Sequence, residues 1–157
     1  MLVNTPLLYL GWSLIFQQGA SAVLVFGAIE SPLAQPRALI FGHFISALIG
    51  VCVTKLFEFL PDSRFHELRW LAASLSSAIA VVAMEVTETT HPPAGATALL
   101  PATNEEIRAL SWYFLPIVLL SSIILMVVAL LNNNIQRRYP IFWYAPVEPK
   151  SALPSTK

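Results

Sequence analysis

"THPPAGATALLP" (residues 90–101) sets a histidine and two prolines before a run of small residues, in a chain otherwise crowded with Leu, Ile and Val. Proline lacks an N–H and suits the first turn of a helix, and it pushes the residue before it into extended geometry. His91 is therefore expected to be extended, with a helix starting at Pro92 or Pro93. Pro101 is expected to stop that helix after about two turns, near 12 Å at 1.5 Å per residue. Acidic residues flank the stretch, Glu88 before it and Glu105 and Glu106 after it. The chain would then enter and leave on one side, as a re-entrant segment over residues 89–101. An extended limb from Glu88 would descend about 16 Å, and the half-helix would climb back with its positive dipole end near mid-depth. The alternative is a tight surface loop between two ordinary helices.

The surrounding composition says what the solvent is. Of 157 residues, 56% are hydrophobic and 11% charged, with a mean hydropathy of +0.67. A soluble domain carries about a quarter charged residues. The charges are also segregated. Residues 38–60 are uncharged as far as Lys55, and residues 70–84 and 109–131 hold no charge at all. A bilayer crossing takes roughly 20 mostly apolar residues. Three such helices cannot be covered by so few polar residues, so the chain reads as an integral membrane protein. Spans are expected near 38–60, 69–88 and 109–131, with a fourth, interrupted by Gln17, Gln18 and Gly19, near 7–29. No basic residue precedes Arg37, which argues against a cleaved secretory signal. Cys52 is the single cysteine and offers no disulfide or metal cluster. A net charge of zero argues against nucleic acid as a partner, and no cofactor or metal is expected.

With those spans, Lys55, Arg64, Arg69, Arg137 and Arg138 fall on one face and Arg37 and Arg108 on the other. The positive-inside rule then puts the 55–69 turn and the C-terminus on the cytosolic side. "YPIFWY" (residues 139–144) reads as an interfacial aromatic anchor, and the Pro-rich tail that completes 136–157 as disordered.

A repeat lies in the small residues. "QGASAVL" (18–24) set over "AGATALL" (94–100) matches Gly19, Ala20, Ala22 and Leu24 with Gly95, Ala96, Ala98 and Leu100, and pairs Ser21 with Thr97. Each copy leads through a Pro-containing polar loop into a long apolar helix. The expected spans make the two halves parallel repeats about an axis along the membrane normal. Breaks of this kind survive in lipid only where protein or water surrounds them, and a broken helix end at mid-depth is a place for an anion.

Other residues have plainer readings. Gly42, Ser46 and Gly50, like Ala72, Ser76 and Ala80, form small-xxx-small faces for close helix packing. Glu85 and Glu88 are read as solvated interfacial acids, His43 as lying toward the headgroups, and His66 as solvated in the polar turn. Arg37 puts a permanent cation at a helix start, where the dipole disfavours it; attraction of anions explains that cost, and so does snorkelling to lipid phosphate. Ser21 with His91 raises the possibility of a nucleophilic dyad. The match of Ser21 with Thr97 argues for a repeated packing element instead, and the chain is not expected to be an enzyme.

At "GASAVLVFGAIESPLAQPR", "GHFISALIGV" and "THPPAGATALL" the sequence resembles the HPP family of integral membrane proteins, whose name comes from the motif that is here His91-Pro92-Pro93. The resemblance covers about residues 18–131. It implies four transmembrane segments and, from chloroplast and cyanobacterial members, transport of nitrite. Family members usually carry a full apolar helix ahead of the Gly-Ala-Ser-Ala motif, where this chain has residues 1–17. Residues 1–17 hold no Arg and one Ser, so a plastid address is not expected from them.

The reading is an all-α polytopic transmembrane helix bundle, residues 1–135, with an internal duplication and two short broken or re-entrant helical segments. The expected function is transport or channel-like passage of a small anion such as nitrite, with a non-transporting scaffold or sensor as the alternative and an intramembrane Ser/His hydrolase behind it. Gly19, Ala20, Ser21 and Ala22 would line the path with Pro92, Pro93, Gly95 and Thr97, through backbone N–H and hydroxyl groups. His91 would add a titratable donor able to couple passage to protons, and Arg37 would draw anions to the mouth. The partners expected are the lipid bilayer, the small anion and further copies of the chain, since one this short has little with which to enclose a pore.

Overall fold

The computed structural model describes residues 18–144, and the parts of the expected 7–29 span and of the C-terminal tail outside them are not described. Every regular element among the described residues is helical: α1 (Gln18–Gly27), α2 (Pro36–Phe57), α3 (Asp62–Val86), α4 (Pro92–Thr103), α5 (Glu105–Leu110) and α6 (Phe114–Asn133). Three stretches are long and apolar enough to cross a membrane: Pro36–Phe57, Asp62–Val86 and Glu105–Asn133. At 22 residues, α2 is about 33 Å long, a full bilayer core.

Local chemistry sets the ends. Pro36 opens α2 in the first-turn position that proline tolerates. The side chain of Asn104 accepts from the Ile107 N–H and starts α5. At the end of α3, Thr89 N–H bonds Met84 O (2.9 Å) and Glu88 N–H bonds Glu85 O (3.1 Å), with Glu88 at φ 55°. These bonds form a Schellman cap whose left-handed position, usually glycine, holds glutamate. The cap turns the chain back into the bundle, where Thr89 and His91 are buried.

The small face of α2 receives the limb from Thr89 to His91 and then α4. A Cβ on Gly42 would stand 2.8 Å from His91 Cβ and 2.9 Å from Thr89 O, and one on Gly50 only 2.6 Å from Ala98 O. Going from Gly42 to Gly50 thus follows α4 from its start to its middle, so α4 runs parallel to α2. Ala102, near its end, packs with Ala72, Ala73 and Phe57 beside the α2–α3 turn. The expected re-entrant loop is therefore corrected to a broken crossing: an extended limb and α4 together carry the chain from the Arg37 end of the bundle to the Lys55 end. Pro101 does not stop α4. It lies inside the helix, which continues to Thr103, and its missing N–H forgoes one backbone bond while Asn104 makes the break.

The α6 helix then returns antiparallel to α2. Phe114 and Val118 pack with Ala47, Val51 and Ile107, while Ala129 packs with Leu39, Val25 and Ile29. The chain after α6 docks at the start of α2: the Tyr139 hydroxyl donates to Ala34 O (2.8 Å), Ile141 N–H to Gln35 Oε1 (3.0 Å), and Arg37 Nη1 to Tyr144 O (2.9 Å). Tyr139 is therefore interior, not part of an interfacial belt, whereas Trp143 and Tyr144 remain exposed.

Two expectations about topology fail for one reason, the additional crossing by α4. The 55–69 turn and the segment ending at Tyr144 lie at opposite ends of the bundle, so the basic residues expected together are divided. Lys55, Arg64, Arg69 and Arg108 sit at one end, where Arg108 stacks 4.7 Å over the Phe65 ring, and Arg37, Arg137 and Arg138 at the other. The repeat is also inverted, not parallel. Gln18 bonds Ser121 and Ser122 in the middle of α6, and Val25 and Ile29 reach the Tyr139 end, so α1 runs toward that end while α4 runs away from it. Their following helices, α2 and α6, are antiparallel in turn. The same register (94 − 18 = 76) sets Ser46 over Ser122, both buried.

Candidate functional site

Where α1, α2 and α4 meet, four polar side chains form one hydrogen-bonded cluster. Ser21 Oγ lies 2.9 Å from His91 Nε2 and 2.9 Å from His43 Nε2. His43 Nδ1 is 2.8 Å from Thr97 Oγ1, and His91 Nδ1 donates to Leu33 O at 2.8 Å. The two imidazoles meet edge to face, centroids 5.0 Å apart and planes at 62°. All four side chains have zero solvent exposure.

Each residue is delivered by a separate device. Ser21 sits in the small-residue stretch of α1. His43 is in the second turn of α2, beside the glycine that admits the α3–α4 limb. His91 is the extended residue before the prolines (φ −134°, ψ 98°), so its ring leaves the backbone ahead of α4 and turns toward α1. Thr97 lies one and a half turns into α4. Burying so many polar atoms is tolerable because each finds a partner.

The structure gathers Ser21, His91 and Thr97 of the expected path and leaves others aside. Gly19, Ala20 and Pro92 are exposed, Ala22 and Pro93 half-buried, and Gly95 is buried, with Ser77 Oγ 3.8 Å from the position a Cβ would take. The expected lining by backbone N–H groups at the start of α4 is corrected. Pro92 and Pro93 have none to offer, and Ala94 N–H is bonded to His91 O (2.8 Å). Arg37 is tied down as well: Nη2 donates to Thr87 O (2.7 Å), Nη1 to Tyr144 O, and Glu88 lies at 3.7 Å. It joins the ends of three segments.

His43 belongs to the cluster, although its sequence position predicts the headgroups. Its distance from Arg37 in turns of helix does place it near one end of α2. That end, however, is roofed by the α1–α2 connection and by residues 139–141, so closeness to the end brings no water. Its position next to Gly42, on the face marked for close packing, is the signal that points to burial.

A comparison with family models matches the HPP transmembrane region over residues 9–140. Two curated relatives, both described as transmembrane proteins of Dictyostelium discoideum, are similar. One is 41% identical over 134 residues, 83% of this chain and 45% of the relative. The other is 38% identical over 128 residues, 80% of this chain and 40% of the relative. The chain thus spans less than half the length of the curated relatives it matches. No solved structure matches it.

Proposed function

The chain belongs to the HPP transmembrane family, and from that premise we propose that it carries a small anion, nitrite being the family's example, across the membrane as a transporter or channel-like conduit. The supporting observation is the meeting of two short helices of opposite direction, one from each inverted copy, at a sealed cluster of hydroxyls and imidazoles. Broken helices of inverted repeats converging on a polar site inside the bilayer are the arrangement by which many secondary transporters bind and release their cargo. Ser21, His43, His91 and Thr97 carry the N–H and O–H groups that an opening of the cluster would turn toward an anion. The zero exposure of all four describes an occluded arrangement, which access from either side would have to open.

The donors in this reading are side chains. The dipole of α4 still adds positive potential beside His91, although its first peptide groups are proline or already bonded. The bilayer is the surrounding partner, and further copies of the chain would complete the walls of any path opening on exposed α1 surface such as Gly19 and Ala20.

The 2.9 Å contact of Ser21 with His91 is also the spacing of a Ser–His dyad. In a hydrolase a carboxylate commonly orients the base; here a backbone carbonyl holds His91, and His43 takes the other side of the hydroxyl. We read the pair as part of a conduit and not as a nucleophile. Proteoliposomes tested with nitrite, nitrate, formate and chloride separate the readings. The expected result is flux of at least one anion above protein-free vesicles, and its loss in His91→Ala. Folded protein that moves none of them would leave a membrane scaffold, and a hydrolytic activity abolished by Ser21→Ala would make the chain an enzyme.

A further inference from the structure

The hydrogen-bonded chain has only one possible polarity when both rings are neutral. The Leu33 carbonyl can only accept, so His91 carries its hydrogen on Nδ1 and presents a lone pair at Nε2. Ser21 must then donate its single hydrogen to His91 Nε2. With none left for the other ring, Ser21 accepts from His43 Nε2–H. His43 Nδ1 is left as the lone pair, and Thr97 donates to it. Hydrogens thus point one way from Thr97 through His43, Ser21 and His91 to Leu33, and the two imidazoles hold opposite tautomers.

From this order we infer that Thr97, His43, Ser21 and His91 form a proton relay, and that the anion crosses together with one proton carried by the imidazole pair. The coupling rests on the transport reading above, whereas the relay does not. A proton taken up at Thr97 Oγ1 drives the hydroxyl's own hydrogen onto His43 Nδ1, which leaves Thr97 a neutral hydroxyl and makes an imidazolium of His43. His43 then breaks its Nε2–H bond as Ser21 gains a hydrogen, and Ser21 passes its original hydrogen to His91 Nε2. The charge now sits on His91, and His43 is neutral in its other tautomer. When the bond to Leu33 O opens, His91 loses its Nδ1 proton to water at the Arg37 end of the bundle, since the carbonyl itself takes no proton on, and one proton has then been transferred. Running these steps backwards would return the proton, so the rings regain their starting tautomers when the cluster opens to water, each losing one N–H proton and taking one up at its other nitrogen with no net charge moved.

Two features make the pair hold one proton and not two. At 5.0 Å between centroids, a second imidazolium would repel the first in a site closed to water. The ring nitrogens, moreover, bond hydroxyls and a backbone carbonyl, none of which carries a compensating charge. Around the rings α1 presents Ser21, α4 presents Thr97 and the α1–α2 connection presents Leu33 O, while α3 presents Met84 Sδ, 3.4 Å from the position a Gly42 Cβ would take. The charges of the packed elements at the near end are Arg37, Arg137 and Arg138 with Glu30, Glu85 and Glu88, the three acids being exposed. A bound anion would supply the counter-charge for an imidazolium, which gives anion and proton a reason to enter together.

Two measurements test this. The first is nitrogen NMR of histidine-labelled protein in lipid nanodiscs, with His66→Gln leaving only the two buried rings. We expect opposite neutral tautomers, and one proton shared between both ring signals on acidification. In Ser21→Ala the signals should respond separately. Identical tautomers, or two protons taken up independently in the wild type, would overturn the relay. The second is uptake of nitrite and of nitrate by proteoliposomes under an imposed pH gradient, with protein-free vesicles subtracted. One proton per anion predicts about tenfold accumulation per pH unit, since each unit is about 1.4 kcal/mol, and no such response in Ser21→Ala. Anion flux indifferent to the gradient would sink the coupling. Absence of any flux beside opposite tautomers would refute the transport reading and leave the relay standing.

Discussion

Ser21 and Thr97, matched in the two copies of the repeat, hydrogen-bond the two ring nitrogens of one imidazole, that of His43, at 2.9 and 2.8 Å. An inverted duplication has brought equivalent hydroxyls from oppositely directed helices to a single ring. Removing that ring should therefore disturb both halves together. His43→Ala leaves buried polar atoms short of a partner, each worth about 1–3 kcal/mol, and we expect a clear fall in melting temperature in detergent. His66→Ala, on the exposed start of α3, should stay within about 0.5 kcal/mol of wild type. Equal effects from the two would mean the cluster does not hold the bundle.

The glycines of α2 offer a steric test of the broken crossing. Gly50→Ala would drive a Cβ to 2.6 Å from a backbone carbonyl of α4, which cannot swing aside as a side chain would. Overpacking of this kind costs about 1–3 kcal/mol. Gly95→Ala, whose new methyl would meet its nearest neighbour at 3.8 Å, should be neutral or gain up to about 1 kcal/mol from helix propensity. Thermal melts of the two variants should move apart. Convergence would show that α4 does not lie against α2.

Glu88 occupies the left-handed cap of α3 at φ 55°. Glycine has no Cβ penalty there, and the Arg37 contact it would forfeit is 3.7 Å long and largely solvated. Glu88→Gly is therefore expected to raise stability, by up to about 1 kcal/mol. A lowered melting point would assign Glu88 a role beyond the turn.

Tyr139 links the segment after α6 to the start of α2, and burial pushes its phenol up to about 12 from 10.0. A raised acid favours its neutral form in the fold. Its contribution is complete below the ordinary tyrosine value and is lost as pH climbs through the folded one. Tyr139→Phe should cost about 1 kcal/mol at neutral pH by losing the bond to Ala34 O, and should flatten the alkaline decline between those two values. An unchanged alkaline profile in the variant would show the phenol titrating freely.

Topology can be read by one-sided labelling. In a Cys52→Ser background, a cysteine at Glu67 and one at Gln136 should react with an impermeant maleimide from opposite sides of a sealed vesicle. Labelling of both from one side would restore the parallel arrangement of the halves.

Much of this molecule was legible before folding. Long uncharged runs determined a membrane solvent, because apolar area without polar cover has nowhere else to go. His91-Pro92-Pro93 determined an extended residue and then a helix start, since ring closure restricts the backbone locally. The small residues at 42, 46 and 50 marked a face for close approach. None of these says what approaches. Direction was decided only in three dimensions: whether α4 returns or continues depends on which surface of α2 it can lie against, and the two glycines let it continue. That single choice inverted the repeat, divided the basic residues between the two ends and carried the C-terminal segment to Arg37. It also made a site of His43, whose burial comes from chain packed over the end of its helix, a relation between distant segments that no local pattern records.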